Sequence, residues 1–409
     1  MRYAIVAVSV ILLGFMIHVL PSPSDPTARA AEAQSAGTGV AEYWGKSATR
    51  TITPTACNAV ANAQVPGTTD LFVGRSFFHE NGTPMTIEEG CRGEALRNHR
   101  GGLVLSRLEW QSGRFAVIKP LFVNGAIVTG GPMRGAILNG IDPDMVIYRG
   151  QYLLAFECRI KNQNKFGVQG NSACITQYDP AGQKILLDRT YVVVSGKRVG
   201  ERFWSASVPQ LLVYKGNLFL YWSRVAVMRG AAKFLGVSVL GVRLEPDNKG
   251  FYWAAGARRT IETSDPRAVE VWGPDPGNSM SDTAVDIKSV WAHGNNVIML
   301  AGLGGGGCAG QGPQPGCFRM AIAMAPEPLG SRVFNRSGRL HEAELPTNGQ
   351  GYTRPIRNPS GSYSFIGVFY RPTQNGFSEK RSVATNWSGG NYKIVIFSFE
   401  DRNLWPSGS

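Results

Sequence analysis

The sequence predicts an all-β protein, and more closely a five-bladed β-propeller, from three observations. Its 50 glycines and 24 prolines are typical of many short strands joined by turns. Three segments share one frame, in which a strand ends at a glycine eight positions after the frame begins and an apolar strand follows. Copies of this frame recur about every 70 residues, which suits one four-stranded sheet with its loops.

Copies of the frame are distributed along most of the chain. The clear copies are Asp142–Gly150, Val208–Gly216 and Asp286–Gly294, and the weaker ones are Gly74–Gly82 and Thr353–Gly361. Five such sheets around one axis make a propeller whose first strands line a central channel. Since only 56 residues follow Thr353, we expect the last sheet to take a strand from near the N-terminus. A sandwich or barrel with coincidental spacing is the alternative, and residues 87–98 are the one plausible short helix.

The N-terminal region predicts export. An apolar stretch, Tyr3–Leu20, follows Arg2 and precedes prolines and small residues, as in a signal peptide. A retained membrane anchor is the main alternative, because 18 residues can just cross a bilayer, and a buried N-terminal helix is another. We therefore expect a signal or anchor over 1–30, a linker over 31–55 and one propeller domain over 56–409. The expected location is periplasmic or secreted, with any membrane contact made only through the N-terminal segment.

The six cysteines form an even set, which in an exported protein predicts disulfides. Local spacing favours the pairs Cys158 with Cys174, Cys308 with Cys317, and Cys57 with Cys91. Zinc is the weaker interpretation, because no close Cys-x-x-Cys pair occurs and the five histidines are scattered. No metal site and no cofactor are predicted.

The chain is basic, with a formal net charge of +13. Outside a cell this balance favours anionic polysaccharides, envelope polymers or membrane surfaces as partners, and nucleic acid is not expected there. A basic solvated surface with no particular partner is the alternative.

Two aspartates begin copies of the frame. In a propeller the starts of the innermost strands converge at one end of the channel, so Asp142 and Asp286 are expected to face one another. Two facing carboxyl groups are what acid/base hydrolysis of a glycosidic bond requires. The alternative for each aspartate is a cap at the entry of a strand.

The segments around these aspartates resemble a known family. Gly140–Leu154, with Asp142-Pro143, resembles the Asp-Pro opening blade of the arabinanases and xylosidases of glycoside hydrolase family 43. Phe203–Ser223 resembles that family's second-blade segment, although Gln210 stands where the family has an aspartate. Asp286 falls at the family's third-blade aspartate, and the resemblance covers residues 140–302.

The resemblance implies roles for these residues in an inverting mechanism. Asp142 would be the general base that activates water, and Asp286 would orient the acid and raise its pKa. The acid should be a glutamate that opens the next blade, but Thr353 stands there, so Glu344 in the preceding loop is the candidate. Inversion would place the two reacting carboxyl groups about 6.5–9.5 Å apart. Further carboxylate candidates are Glu157, Glu201, Glu270 and Glu342.

Four residues are predicted to bind substrate: Asp144, Trp204, Gln210 and Arg354. The indole of Trp204 can stack on a sugar ring, and the Arg354 guanidinium can pair with a carboxylate or sulfate. Core packing and a solvated surface are the alternatives for these two side chains. The sequence therefore predicts an exported glycoside hydrolase-like protein acting on a cell-wall or extracellular polysaccharide. A non-catalytic glycan-binding propeller, favoured by Thr353, and an interaction platform are the alternatives.

Overall fold

The computed structural model describes the chain in segments. They are residues 50–54, 61–65, 70–78, 100–109, 114–123, 137–160, 171–200, 202–228, 234–274, 284–304, 318–335, 341–343, 349–352, 356–357, 363–370 and 392–399. Within them the secondary structure is strand and turn, with no α-helix, so the all-β class is confirmed. The predicted helix over 87–98 and the predicted export segment lie outside the described residues.

The strands follow one another in antiparallel groups of neighbours in sequence. The first half of the chain contains β1 (Arg50–Pro54), β2 (Ala61–Gln64), β3 (Asp70–Phe78), β4 (Arg100–Glu109), β5 (Arg114–Val123), β6 (Ile137–Tyr148), β7 (Gln151–Ile160), β8 (Ser172–Asp179), β9 (Lys184–Ser195), β10 (Lys197–Val199), β11 (Arg202–Tyr214) and β12 (Asn217–Met228). The second half contains β13 (Phe234–Pro246), β14 (Tyr252–Ala254), β15 (Ile261–Glu262), β16 (Val269–Trp272), β17 (Ala284–His293), β18 (Asn296–Gly304), β19 (Phe318–Ala325), β20 (His341–Ala343), β21 (Gly349–Tyr352), β22 (Ile356–Arg357), β23 (Tyr363–Tyr370) and β24 (Tyr392–Phe399).

Pairing joins these strands into meanders. β2 to β5 pair in order, as do β6 to β9, β10 to β13, and β17 to β20. β23 pairs with β24 and with both short strands β21 and β22. The long strands β6, β11 and β17, which we call the inner strands, pack together, since β11 contacts both β6 and β17. This is the propeller-like arrangement that the repeat predicts.

The hairpins of the repeat form where the glycines predict them. Tyr148 pairs with Gln151 and Tyr214 with Asn217, which leaves two-residue turns at Arg149-Gly150 and Lys215-Gly216. All four turn residues have positive φ, as type I′ turns require. In the third copy His293 pairs with Asn296, so Gly294 takes the first turn position instead of the second.

That difference shifts the third copy by one residue. Each of β6, β11 and β17 carries a β-bulge, between Ile141 and Asp144, between Ser207 and Gln210, and between Ile287 and Ser289. Counted from the turns, Asp142 and Val208 correspond to Ile287, and Asp286 corresponds to Ile141 and Ser207. The expectation that Asp142 and Asp286 occupy the same position in the frame is therefore wrong.

The two weaker copies also differ from the prediction. β3 ends at Phe78 and pairs with β4, which begins at Arg100, and Gly82 lies outside the described residues. Of the last copy only the short strand β22 is described, β21 ends at Tyr352 just before the copy begins, and Thr353 lies outside the described residues. β1 pairs with β24 antiparallel and with β5 in parallel. A strand from near the N-terminus thus joins the last sheet as expected, but it lies within the predicted linker over 31–55.

Apolar side chains fill the spaces between neighbouring meanders. Leu153, Leu220 and Trp222 belong to the cluster between β6–β9 and β11–β13. Val239, Val285 and Met299 belong to the next cluster, between β11–β13 and β17–β19. Burial on both faces explains why these strands are nearly continuous apolar runs rather than alternating ones.

The predicted disulfide between Cys158 and Cys174 is confirmed and links β7 to β8. The other four cysteines lie outside the described residues. In the described part of the chain, no helix has the length and apolar character to span a bilayer. The same residues contain no cluster of His, Cys, Asp or Glu suited to a metal ion.

Candidate functional site

The candidate site lies at the bulges of the inner strands. Asp142 and Val208 have φ of 50° and 49°, in the left-handed region. Asparagine and aspartate tolerate this conformation, but for a β-branched residue such as valine it is an outlier. Bulges of this kind redirect side chains and are frequent next to active sites. Asp142 is only 9% exposed at this position.

Glu157 joins the Asp142 region to the next meander. It lies on β7 opposite Ile141 and is buried. Its Oε1 accepts a hydrogen bond of 2.5 Å from Asn171 Nδ2, and its Oε2 accepts one of 3.2 Å from the backbone N–H of Val208. Both oxygens are therefore engaged, Oε1 by the residue that precedes β8 and Oε2 by β11. This geometry favours a positioning role for Glu157 over the acid role considered from sequence.

Asp286 is part of a buried ion pair. Lys288 Nζ lies 2.6 Å from Asp286 Oδ2, and the two side chains are 9% and 12% exposed respectively. Ser223 Oγ donates to the other oxygen, Oδ1, at 2.6 Å. The same hydroxyl accepts a hydrogen bond of 3.0 Å from the Ile287 backbone N–H. Asp286 is therefore held on both oxygens, by the ammonium of Lys288 and by the hydroxyl of Ser223.

Asp144 and Gln210 occupy equivalent positions and are both buried. Asp144 Oδ2 accepts a hydrogen bond of 2.6 Å from the Leu211 backbone N–H, which ties β6 to β11. This contact gives Asp144 a structural task in addition to the predicted contact with substrate. The two residues stay near the candidate site because each immediately follows a bulge.

Trp204 lies on β11 beyond the bulge, in the part of the strand that pairs with β10. The Arg224 guanidinium lies 4.8 Å from the centre of its indole ring, so one face of the ring is covered by a cation. Arg224 also donates to Glu270 at 2.9 Å and to Ser238 at 3.1 Å. Burial lowers the pKa of Arg224, and the charge of Glu270 opposes that effect. Trp204 therefore belongs to a polar cluster rather than to the apolar core.

Three predicted residues lie outside the described residues: Glu344, Arg354 and Glu201. The structure brings Asp142, Asp144 and Gln210 to neighbouring bulges on β6 and β11. It places Asp286 on β17, with β11 between that strand and β6.

Sequence reasoning missed Lys288 and Ser223. Glu157 and Ser223 each lie 15 residues after the start of a clear copy of the frame. Each accepts a hydrogen bond from the backbone at the bulge of the next meander, from Val208 and Ile287 respectively. Alignment of the second strands as well as the first would have revealed this shared position. Lys288 had no such signal, because Pro143 and Pro209 stand at the corresponding positions.

No family model and no curated protein matches the chain. Among solved structures it is similar to the family 43 endo-arabinanase of Bacillus licheniformis, with 12% identity and a TM-score of 0.47 over 85% of this chain and 96% of that one. The α-L-arabinofuranosidase of Lactobacillus brevis gives 8% identity and a TM-score of 0.49 over 85% and 93%. The endo-arabinase of Bacteroides thetaiotaomicron gives 12% and 0.44 over 86% and 97%. At these values no role or substrate passes from those proteins to this chain.

Proposed function

We propose that this protein is an exported, glycoside hydrolase-like β-propeller of five blades that acts on a cell-wall or extracellular polysaccharide. Asp142 is its general base, and the observation that carries this assignment is its conformation. Asp142 is an acidic residue that is nearly buried at a bulge, in a left-handed backbone conformation that ordinary strand pairing does not need. Bulges and such conformations are frequent at functional sites.

The other residues divide between orientation and binding. Lys288 and Ser223 fix the Asp286 carboxylate, so Asp286 supplies a positioned negative charge and does not carry the reacting proton. Glu344, in the loop that precedes the last copy of the frame, is the proposed acid. Trp204 and Gln210 offer a ring face and an amide to a sugar, and Arg354 offers a guanidinium.

Release of reducing ends from a panel of plant and bacterial glycans tests this proposal. Asp142→Asn keeps the volume of the side chain and also tolerates the left-handed conformation, so it should remain folded. We expect it to lower turnover at least about 100-fold, because loss of a general base typically removes that factor. Asp188→Asn, at an exposed aspartate of β9, is the matched control and should retain full turnover. Product release that persists in the Asp142 variant would refute the base assignment.

A glycan-binding protein without hydrolysis is the second candidate. Two observations favour it, the pairing of Asp286 with Lys288 and the presence of Thr353 where the resemblance implies a glutamate. In this case the wild type binds a glycan of the panel and releases no product. Asp142→Asn then changes affinity only.

A further inference from the structure

Two adjacent inner turns carry basic residues in a conformation that does not suit them. Arg149 and Lys215 hold the first position of the β6–β7 and β11–β12 turns, with φ of 50° and 47°. Type I′ turns favour asparagine, aspartate or glycine at this position. A longer side chain in the left-handed region costs about 1 kcal/mol. Both turns place a cationic side chain in this disfavoured conformation, and they do so at equivalent positions.

Each cation lies close to the ring of the tyrosine that precedes it in sequence. The Arg149 guanidinium lies 5.2 Å from the ring centre of Tyr148, and Lys215 Nζ lies 5.0 Å from that of Tyr214. Both tyrosines are buried, whereas Arg149 and Lys215 are exposed. Neither cation has a carboxylate within 4.0 Å among the described residues. Their charge is therefore available to a partner.

Hydrogen bonds join the two turns that carry these cations. The Tyr148 hydroxyl donates to the carbonyl of Gly216 at 3.2 Å, which fixes the first turn against the second. The Tyr214 hydroxyl donates in the same way to the carbonyl of Asn295, in the β17–β18 turn. The turns thus form a continuous row, which we call the basic row after Arg149 and Lys215. Arg149 lies seven positions along the chain from Asp142, which is about 23 Å at the rise of a strand.

We propose that the basic row binds an acidic, carboxylate-bearing polysaccharide at the end of the inner strands opposite Asp142. Exposed cations in a fixed row complement repeating carboxylates, and a guanidinium pairs with a carboxylate through two parallel hydrogen bonds. The choice of a polysaccharide rests on the proposed function. The row itself rests only on the geometry of the turns. It would hold the polymer while the Asp142 end acts on it.

Equilibrium binding to polygalacturonate tests the basic row, with its neutral methyl ester as the comparison. The measurement uses the full chain carrying Asp142→Asn, so that no polymer is consumed. Arg149→Asn with Lys215→Asn should weaken binding about tenfold, since each exposed pair contributes up to about 1 kcal/mol. The midpoint of thermal unfolding should not fall, because asparagine suits the left-handed turn position.

Arg202→Asn with Arg258→Asn is the matched control. It removes two exposed cations, one of them also left-handed with φ of 52°, from positions outside the row. We expect less than about a twofold change in binding. Equal loss in both double variants would overturn the proposal in favour of diffuse charge. The proposal is also overturned if the chain with an intact basic row does not bind polygalacturonate, binds the methyl ester equally well, or binds only anionic vesicles or duplex DNA. Each of these outcomes leaves the turnover test of Asp142 unaffected.

Discussion

Single residues in this protein are fixed by contacts that reach from one meander to the next. Asp286 is the clearest case, because Ser223 of the preceding meander donates to its Oδ1, while the nearly buried Lys288 of its own strand lies 2.6 Å from its Oδ2. A buried charge is stable only with a partner. The pair therefore holds β17 in one conformation and keeps the Asp286 carboxylate turned toward Ser223.

Lys288→Met should lower the free energy of unfolding by about 3 kcal/mol, since it leaves the Asp286 charge buried without its cation. Urea denaturation measures this change. Arg243→Met provides the contrast, because Arg243 pairs with Glu245 at 2.5 Å while both side chains are about half exposed. That variant should lose less than about 1 kcal/mol. A loss no larger for Lys288→Met than for Arg243→Met would show that the pair is as solvated as a surface pair.

At the scale of strands, neighbouring meanders are joined by hydrogen bonds at the bulges. Glu157 and Ser223 are the equivalent residues that accept from the next inner strand, at Val208 and Ile287. A bulge frees one backbone N–H from the ladder, so a side chain from the neighbouring meander must satisfy it. These hydrogen bonds between meanders therefore lie at the candidate site.

Ser223→Ala should lower the free energy of unfolding by about 2 kcal/mol, because it removes a partner from both the Ile287 N–H and the Asp286 carboxylate. Ser289→Ala is an unusually close control. Ser289 is fully buried, two strands away in the same part of the fold, and its Oγ has no hydrogen-bond partner in the described part of the chain. That substitution should be neutral or stabilising. The prediction fails if the two variants lose equal stability in urea.

The sequence was sufficient for local features and insufficient for those that depend on contacts between meanders. Gly150 and Gly216 were predictable because a two-residue hairpin turn needs positive φ. The disulfide of Cys158 and Cys174 was predictable because a short hairpin brings the two residues together. The register of Asp286 was not, since Gly294 satisfies the same spacing from a different turn position. The contacts of Glu157 with Val208 and of Lys288 with Asp286 were not predictable either, because they depend on the bulges.

For the whole molecule, the decisive feature is how the first and last sheets are joined. β1 pairs with β24 through Arg50, Thr51 and Ile52, and its end continues in parallel with β5. A strand from one end of the chain thereby covers two edges that would otherwise present unpaired backbone groups. The short final repeat predicted such a strand from its length alone. β1 lies before residue 56, so the folded part of the chain extends further toward the N-terminus than composition indicates.

A chain that begins at residue 56 should therefore be less stable than one that begins at residue 47, although both contain all the other described strands. The shorter chain lacks the hydrogen bonds of β1, and we expect it to lose about 2–4 kcal/mol of unfolding free energy. It should also associate through the exposed edges of β24 and β5, which size-exclusion chromatography would detect. Addition of a synthetic peptide spanning residues 47–55 should restore part of the lost stability, because the peptide can pair with the same edges. Equal midpoints in urea for the two chains, with no effect of the peptide, would mean that β1 does not hold the first and last sheets together.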